Sequence, residues 1–198
     1  MYSPSIDKLI AVLKQLPSVG QHTAERFVFY WLKSGKKEVM ETVNSLEELL
    51  SKVKSCETCW NFSDTNPCPI CQNKNRENNV ICVVSDPQAV PVLERTGEFK
   101  GTYHILRGTI DATDPDQINN LKISELLERL KNTEIVEIIL ALNPDIAGET
   151  TMMYLEKEIK EKFPKIKTTR LARGLPTGSD IQYADEITLG NALKHRHK

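Results

Sequence analysis

The chain has 198 residues, of which 39% are hydrophobic and 27% are charged, which suits one large domain or two small ones with a buried core. Its formal net charge of -1 at pH 7 excludes binding to nucleic acid through bulk positive charge, so any such contact must come from a local patch or from backbone donors. No apolar run approaches the ~20 residues that span a bilayer, and the start of the chain lacks the pattern of a signal peptide, so we expect a cytoplasmic protein without membrane contact.

Two helices are predicted at the start of the chain. Apolar residues repeat at helical spacing over residues 6–16, and Pro17 ends this first helix because proline cannot continue the hydrogen-bond ladder. The second helix has its apolar face over residues 24–32. Phe27 and Trp31 lie on that face, so we expect them in the core rather than as stacking platforms for bases.

The connection between these helices has the pattern of a helix-hairpin-helix element. Ser18, Val19 and Gly20 form it, and the first N–H groups of the second helix lack partners inside that helix. A phosphate oxygen satisfies such groups and is attracted by the helix dipole, which predicts DNA binding through the backbone without sequence preference. His22 and Arg26 lie one turn apart near the helix start and are further candidates for phosphate contacts. The alternative is an ordinary αα-hairpin in which Gly20 only permits the turn.

A third helical segment is predicted from about residue 36 to residue 55, and it completes an amino-terminal region over residues 1–55. Ser45 and Glu48 have the spacing of a capping box. This spacing predicts that the helix restarts midway.

The strongest motif of the chain is a pair of C-x2-C turns, formed by Cys56, Cys59, Cys68 and Cys71. Zn²⁺ binds four thiolates tetrahedrally, and each turn supplies two, which predicts one structural zinc over residues 56–71. The alternatives are two disulfides or buried free thiols, but paired C-x2-C units are typical of zinc sites. Cysteines committed to a metal also favour a reducing cytoplasm.

From residue 79 onward, apolar β-branched runs alternate with helical patterns, which predicts a layered α/β domain with a parallel sheet. The predicted strands are 80–84, 103–106, 136–142 and 166–172, and the predicted helices between them begin at Pro87, Ile123 and Thr150. Asp86 is expected to cap the first of these helices, with Pro87 as its first residue. Cys82 lies inside the first strand and is expected in the core rather than as a fifth ligand. Ligand sites in such sheets lie at the carboxyl ends of the strands.

Four features occur together in an order that is typical of one protein family. They are the helix-hairpin-helix, the four-cysteine knuckle, the V-V-x-x-P opening of the α/β domain at residues 83–87, and the T-R-L-A-R-G-L-P-T-G block at residues 169–178. Further blocks lie at residues 143–151 and 188–197. Over nearly its full length, the chain resembles the RecR family of bacterial recombination-repair proteins.

The resemblance implies an α+β architecture in several parts. These are a helix-hairpin-helix DNA-binding region at 1–55, a C4-type zinc finger at 56–71, a Toprim domain with a parallel α/β sheet at 79–174, and a carboxyl-terminal helical assembly segment at 175–198. The resemblance also implies DNA binding in gap repair together with RecF- and RecO-type proteins. A homo-oligomer, either a dimer or a tetrameric ring that encircles DNA, is a further implication.

The acidic site of the Toprim fold departs from the pattern that phosphoryl chemistry requires. Toprim enzymes hold Mg²⁺ with a glutamate after the first strand and a carboxylate pair after the third. Here Ser85 stands at the first position with Asp86 beside it, and Ala147-Gly148-Glu149 stands where RecR relatives have E-G-E. The resemblance therefore implies a vestigial acidic site at Asp86 and Glu149.

The hairpin departs from the family as well. Ser18 replaces the usual glycine and hinders the close approach of a phosphate, while His22 replaces a basic residue. Both differences predict weaker DNA affinity than that of RecR relatives. The basic tail at residues 194–198 is either a contact for DNA or a neighbouring subunit, or simply solvated.

A replacement metal site is conceivable in the loop after the second strand. Asp111, Asp114 and Asp116 lie there, but aspartate is common in solvated turns, which favours the structural interpretation.

The favoured hypothesis is a non-enzymatic DNA-binding adaptor. The first alternative is a metal-dependent Toprim enzyme for phosphoryl transfer, similar to a nuclease or topoisomerase, and the missing carboxylates argue against it. The second alternative is a zinc-stabilised protein-interaction module without a DNA role. Nucleotide binding is not predicted, because the chain has no G-x-x-x-x-G-K-[ST] loop.

Overall fold

The computed structural model describes residues 2–111, 113 and 115–196, with the backbone alone at 115–117. The chain divides into two compact units, Met1–Val53 and Lys54–Lys198. None of the described helices combines the length and the apolar composition needed to cross a bilayer.

Three helices form the first unit. They are α1 (Pro4–Leu13), α2 (Gln21–Ser34) and α3 (Lys36–Lys52). Pro4 is the first residue of α1, a position where proline is favoured, and α1 ends at Leu13, four residues before Pro17. The buried core of this unit is small and consists of Ile10, Leu13, Ala24 and Val28.

α3 is one continuous helix, so the predicted restart at Ser45 is wrong. The hydroxyl of Ser45 donates to the carbonyl oxygen of Glu41 at 2.8 Å, as serine does inside a helix, instead of capping a new helix start. The helix ends at Lys52, where Val53 turns to an extended conformation.

The second unit begins with a compact knuckle. β1 (Lys54–Ser55) pairs antiparallel with β2 (Phe62–Ser63), and a one-turn helix, α4, spans Pro69–Gln72. The two short strands close the first C-x2-C turn between them, and the second turn begins at the residue before α4.

A parallel four-stranded sheet follows, as the alternation of patterns predicts. Its strands are β3 (Glu77–Val84), β4 (Gly101–Ile105), β5 (Glu137–Leu140) and β6 (Lys167–Arg170), in the spatial order β4-β3-β5-β6. The helices of this domain are α5 (Ala89–Thr96), α6 (Ile123–Arg129) and α7 (Ile146–Lys162). A 3-10 helix spans Pro115–Asn120.

The central strand β3 is buried on both faces, which explains its continuous apolar run. Ile81 and Val83 belong to the cluster that α6 and α7 cover. Cys82 and Val84 belong to the cluster on the other face, which also contains three cysteines of the knuckle. The prediction that Cys82 is a core residue is therefore confirmed.

β4 is an edge strand of this sheet. The backbone groups on its outer side form hydrogen bonds with the knuckle and with a side chain of α6 instead of with another strand. The backbone N–H of Ile105 donates to the carbonyl oxygen of Cys59 at 2.9 Å. The carbonyl oxygen of Tyr103 accepts a hydrogen bond from the guanidinium of Arg129 at 2.6 Å. The knuckle and α6 together cover the edge.

Two helix starts differ from the predictions. α5 begins at Ala89, because Asp86 and Pro87 form a turn whose carbonyl oxygens accept from the N–H groups of Ala89 and Val90. Asp86 is therefore not an N-cap. α7 begins four residues before Thr150, because the carboxylate of Asp145 accepts from the N–H of Gly148 at 2.7 Å and caps the helix.

The carboxyl-terminal segment after β6 begins with residues 171–180, which belong to no helix or strand. It contains a 3-10 helix at Ile181–Tyr183 and the helix α8 at Glu186–Lys194. Within the described part of the chain, no residue of α8 is buried.

Candidate metal centre and nucleic-acid interface

The four cysteines of the C-x2-C turns converge on one point. All four Sγ atoms lie within 4.8 Å of one another, and the Sγ atoms of Cys59 and Cys68 are 3.6 Å apart. Sulfurs ~2.3 Å from a tetrahedral zinc are separated by ~3.8 Å, so the arrangement fits one Zn²⁺ ion, whereas a disulfide requires ~2 Å. All five cysteines of the chain are free thiols. The four converging cysteines form a metal-binding site for one structural zinc.

Local hydrogen bonds shape the knuckle around this site. The carbonyl oxygen of Cys56 accepts from the N–H of Trp60 at 2.8 Å, which closes the first turn. The N–H of Cys68 donates to the Sγ of Cys56 at 3.3 Å, which joins the second turn to the first. Asn66, in the insert between the turns, accepts from the N–H of Glu57 at 3.0 Å. The sulfurs are therefore positioned by the backbone of the knuckle itself.

Because the four thiols lie close together, ionisation of one thiol makes ionisation of its neighbours less favourable. A hydrogen bond from Cys71 lowers the pKa of Cys59 to about 5, although burial acts in the other direction. Burial raises the pKa of Cys68 to about 11. The hydrogen bond to Cys59, together with burial, raises the pKa of Cys71. One thiolate is favoured and further ones are not, so a divalent cation is the group that allows all four sulfurs to ionise.

Two arginines of the α/β domain hold the knuckle, and sequence patterns did not identify this role for either. Arg107 donates from Nε to the carbonyl oxygen of Trp60 and from Nη2 to Oγ of Ser55, each at 2.9 Å. Its guanidinium carbon lies 3.7 Å from the centroid of the Phe62 ring. Arg107 therefore makes three contacts with the knuckle, two of them with the strands that flank the first C-x2-C turn.

Arg129 makes the second connection, from α6. Its Nη2 donates to Oγ1 of Thr102 at 2.7 Å, and its Nη1 donates to the carbonyl oxygen of Tyr103 and reaches that of Thr58 at 3.5 Å. Burial lowers the pKa of Arg129, and the charge of the neighbouring cysteines opposes that effect. Because a zinc with four thiolates carries two negative charges, a half-buried cation at this position also compensates the metal site.

The predicted DNA-contact residues lie together at the start of α2. Ser18 is exposed and has a φ of 62°, in the left-handed region that favours glycine. The N-cap is Gly20, which has no side chain to bond the first N–H groups of the helix. The N–H groups of residues 21–23 therefore lack intrahelical acceptors and point outward. This geometry suits a phosphate oxygen.

The two side chains beside this helix start differ. The Nδ1 of His22 lies 3.7 Å from a carboxylate oxygen of Glu25, so an acidic group sits next to it. Arg26 is exposed, and no acidic group among the described residues lies within 4 Å of its guanidinium. Arg26 is therefore the stronger candidate for a phosphate contact.

The prediction for two aromatic residues of α2 was half right. Trp31 packs against the core cluster, as expected. Phe27 is 42% exposed, so its expected place in the core is wrong. Tyr30, which the sequence did not single out, is 60% exposed.

Glu149, the surviving carboxylate of the Toprim pattern, is held by two arginines. It lies in the first turn of α7, and one oxygen accepts from Nη1 of Arg170 at 2.9 Å. The other oxygen pairs with Nη2 of Arg173. Arg170 also forms a two-pronged pair with Glu156 at 2.6 and 2.7 Å. These pairs occupy the carboxylate oxygens that a metal ion would require.

The other acidic candidates form no cluster in the described chain. Asp86 is exposed in the turn after β3. Apart from the four cysteines, the described residues contain no group of three or more His, Cys, Asp or Glu side chains whose ligand atoms converge. Asp111 accepts from the N–H and hydroxyl of Thr113, and these bonds lower its pKa. Asp114 and the side chain of Asp116 lie outside the described residues.

Four family models match successive parts of the chain. They are the RecR helix-hairpin-helix at residues 6–50, the RecR four-cysteine zinc finger domain at residues 53–73, the Toprim domain at residues 79–172 and the RecR carboxyl-terminal model at residues 174–197.

Curated relatives match over the full length. The protein named recombination protein RecR of Bifidobacterium adolescentis is 43% identical over 98% of this chain and 96% of the relative. The recombination protein RecR of Rubrobacter xylanophilus is 39% identical over 100% of this chain and 98% of the relative. The one from Clostridium perfringens is 42% identical over 98% and 97%.

Proposed function

Because this chain belongs to the RecR family of recombination proteins, we propose that it acts in recombinational DNA repair as a non-enzymatic adaptor that binds DNA at gaps. The observation that carries the DNA contact is the open start of α2. Gly20 has no side chain that could bond the first N–H groups of this helix, and Ser18 and Gly20 are exposed beside them, while Val19 packs against the core of the unit. His22 and Arg26 add side-chain contacts to neighbouring phosphates.

The proposal assigns a separate task to each part of the chain. Residues 1–55 bind the DNA backbone without reading sequence. Zinc at residues 56–71 stiffens the join to the Toprim domain at residues 79–174, which serves as a platform for RecF- and RecO-type partners. The hydrogen bonds of Arg107 and the edge contact of β4 support a rigid join.

Assembly into a homo-oligomer is part of the proposal, and residues 175–198 contribute to it. The exposed apolar surface supports this idea, because large patches of that kind mark interaction sites. α3 has its apolar side in solvent, with Leu50 at 83% exposure, and Ile187 of α8 is 77% exposed. A dimer or a tetrameric ring around DNA would cover such faces.

The proposal excludes phosphoryl transfer as the function of the Toprim domain. Glu149 is bonded to Arg170 and Arg173, and Asp86 is left alone in its turn. Such a remnant of the acidic site is a poor place for a divalent metal. The proposed location is the cytoplasm, which the free thiols of the zinc site support because reducing compartments preserve them.

One experiment tests DNA binding and strand cleavage in the same sample. Zinc-loaded protein is titrated into a labelled gapped duplex at several salt concentrations with Mg²⁺ present, anisotropy is read, and the DNA is then run on a denaturing gel. We expect salt-dependent binding and intact strands. Arg26→Glu should weaken binding to all sequences alike and reduce the salt slope by about one.

The matched control is Arg95→Glu, which makes the same change of charge at an exposed position in α5. It should bind like the wild type. A sequence-selective loss in Arg26→Glu would refute contact through the backbone. Cleaved strands that disappear in Glu149→Ala would show that the protein is an enzyme.

A further inference from the structure

We propose that the solvent-facing side of α2 is a binding site for unpaired DNA bases, with Tyr30 as the stacking surface. The site is a stripe formed by His22, Arg26, Tyr30 and Lys33. The inference rests on the proposed DNA binding and adds the substrate class: the single-stranded part of a gap, rather than the duplex beside it.

The stripe follows from the geometry of the helix. At ~100° per residue, the four positions lie within an arc of ~80°, while the buried Ala24 and Val28 lie on the opposite side. The stripe is ~16 Å long and begins at the helix start where a phosphate is expected. A strand whose phosphate is held there can run along α2.

Aromatic and basic groups also meet in one cleft on this helix. Arg26, Phe27, Tyr30 and Lys33 line a cleft of about 690 Å³. Tyr30 is 60% exposed, and its hydroxyl donates to a carboxylate oxygen of Glu38 at 3.3 Å, which fixes the polar end of the ring. An exposed, oriented ring is the surface that a base requires for stacking.

The charges around the ring select the partner. Arg26 precedes Tyr30 by one turn, and Lys33 follows it by nearly one turn, so cations flank the ring on both sides. Among the described residues, neither cation has an acidic partner within 4 Å. Proteins that bind single strands combine cations for the phosphates with aromatic rings for the bases. If two copies of this chain met at this face about a two-fold axis through Tyr30, the same cations would face one another.

The experiment compares Tyr30→Ala and Tyr30→Phe on three probes, namely a labelled oligothymidylate, the same strand with abasic sites, and a duplex of equal length. Tyr30→Ala should lose about tenfold in affinity for the oligothymidylate and less than about twofold for the duplex, with an unchanged salt slope. Tyr30→Phe keeps the ring but loses the bond to Glu38, so its affinity should stay within about threefold of the wild type. The abasic strand should not distinguish Tyr30→Ala from the wild type.

The control is Met153→Ala, which removes an apolar side chain of 64% exposure in the other unit, outside the assembly segment at residues 175–198, and should bind every probe normally. Equal affinity of wild type and Tyr30→Ala for the oligothymidylate would overturn the inference. An equal loss on single strand and duplex, accompanied by a lower molar mass in sedimentation, would assign this face to a second copy of the chain. A wild type that binds no DNA would refute the proposed function itself, and the inference with it.

Discussion

Arg129→Ala tests whether the contact between α6 and the sheet edge stabilises the second unit. The guanidinium donates at 2.6 Å to the carbonyl oxygen of Tyr103 and at 2.7 Å to Oγ1 of Thr102. Hydrogen bonds from a charged group contribute ~1.5–3 kcal/mol each, and both acceptors are buried. Because Arg129 itself is only half-buried, we take the lower end of the sum and expect the free energy of unfolding to fall by ~3 kcal/mol, which lowers the Tm by roughly 6–12 °C for a chain of this size.

Urea unfolding of the zinc-loaded protein measures this change. The chain has two tryptophans, and Trp60 lies in the knuckle, with Nζ of Lys122 at 4.1 Å from its ring. In a Trp31→Phe background, fluorescence therefore reports on the second unit alone. Arg129→Ala and its parent are compared at equal zinc loading.

Two variants decide how the result is read. Arg129→Lys keeps the charge but cannot reproduce the two-pronged geometry, so an intermediate loss is expected. Arg95→Ala removes an exposed arginine and should change the stability by less than ~0.5 kcal/mol. A loss below ~1 kcal/mol in Arg129→Ala would refute the reasoning, because it would mean that water replaces the guanidinium at the edge of the sheet.

Cys56→Ser should lower both the zinc content, measured by atomic absorption, and the Tm, because the site loses a thiolate. A stable metal-free variant would contradict a structural zinc. Ser18→Gly should stabilise the first unit by ~0.5–1 kcal/mol in urea unfolding, because glycine adopts the left-handed φ of this position without strain. The same variant should bind DNA more tightly in anisotropy. Weaker binding would contradict the expected close approach of a phosphate. Glu149→Ala should leave DNA binding and its Mg²⁺ dependence nearly unchanged while the stability falls by ~1 kcal/mol, since the ion pairs with Arg170 and Arg173 are partly exposed. A changed Mg²⁺ dependence would restore a metal role for this carboxylate.

Sequence patterns correctly predicted the metal site and the buried strands, because both depend on residues that are close together in the sequence. Two C-x2-C turns predict one metal site because each turn is too short to place its sulfurs far apart, and the Sγ atoms do converge. Continuous β-branched runs predict buried parallel strands because both faces of such strands are covered, as they are at β3. In these cases the residues that interact are close in sequence or repeat with a fixed period.

Contacts between residues that are far apart in the sequence were not predicted, because sequence patterns report only on short spacings and fixed periods. Arg129 meets Thr58 across 71 positions, and Glu149 meets Arg173 across 24, so no local spacing announces either pair. Periodicity also selects a face of a helix without saying whether a neighbour covers it. Phe27 has the spacing of a core residue, yet the core of the first unit is too small to enclose it.

The hydrogen bonds on the outer side of β4 give the zinc knuckle a protective role. An edge strand offers its free N–H and C=O groups as a template on which another chain can add a strand. Here the carbonyl oxygen of Cys59, a metal ligand, occupies the N–H of Ile105. Removal of the zinc would free this N–H before the sheet itself melts. Metal-free protein is therefore expected to aggregate through β4 while most of its fold is intact, so the zinc would also protect this edge of the sheet against the addition of a foreign strand.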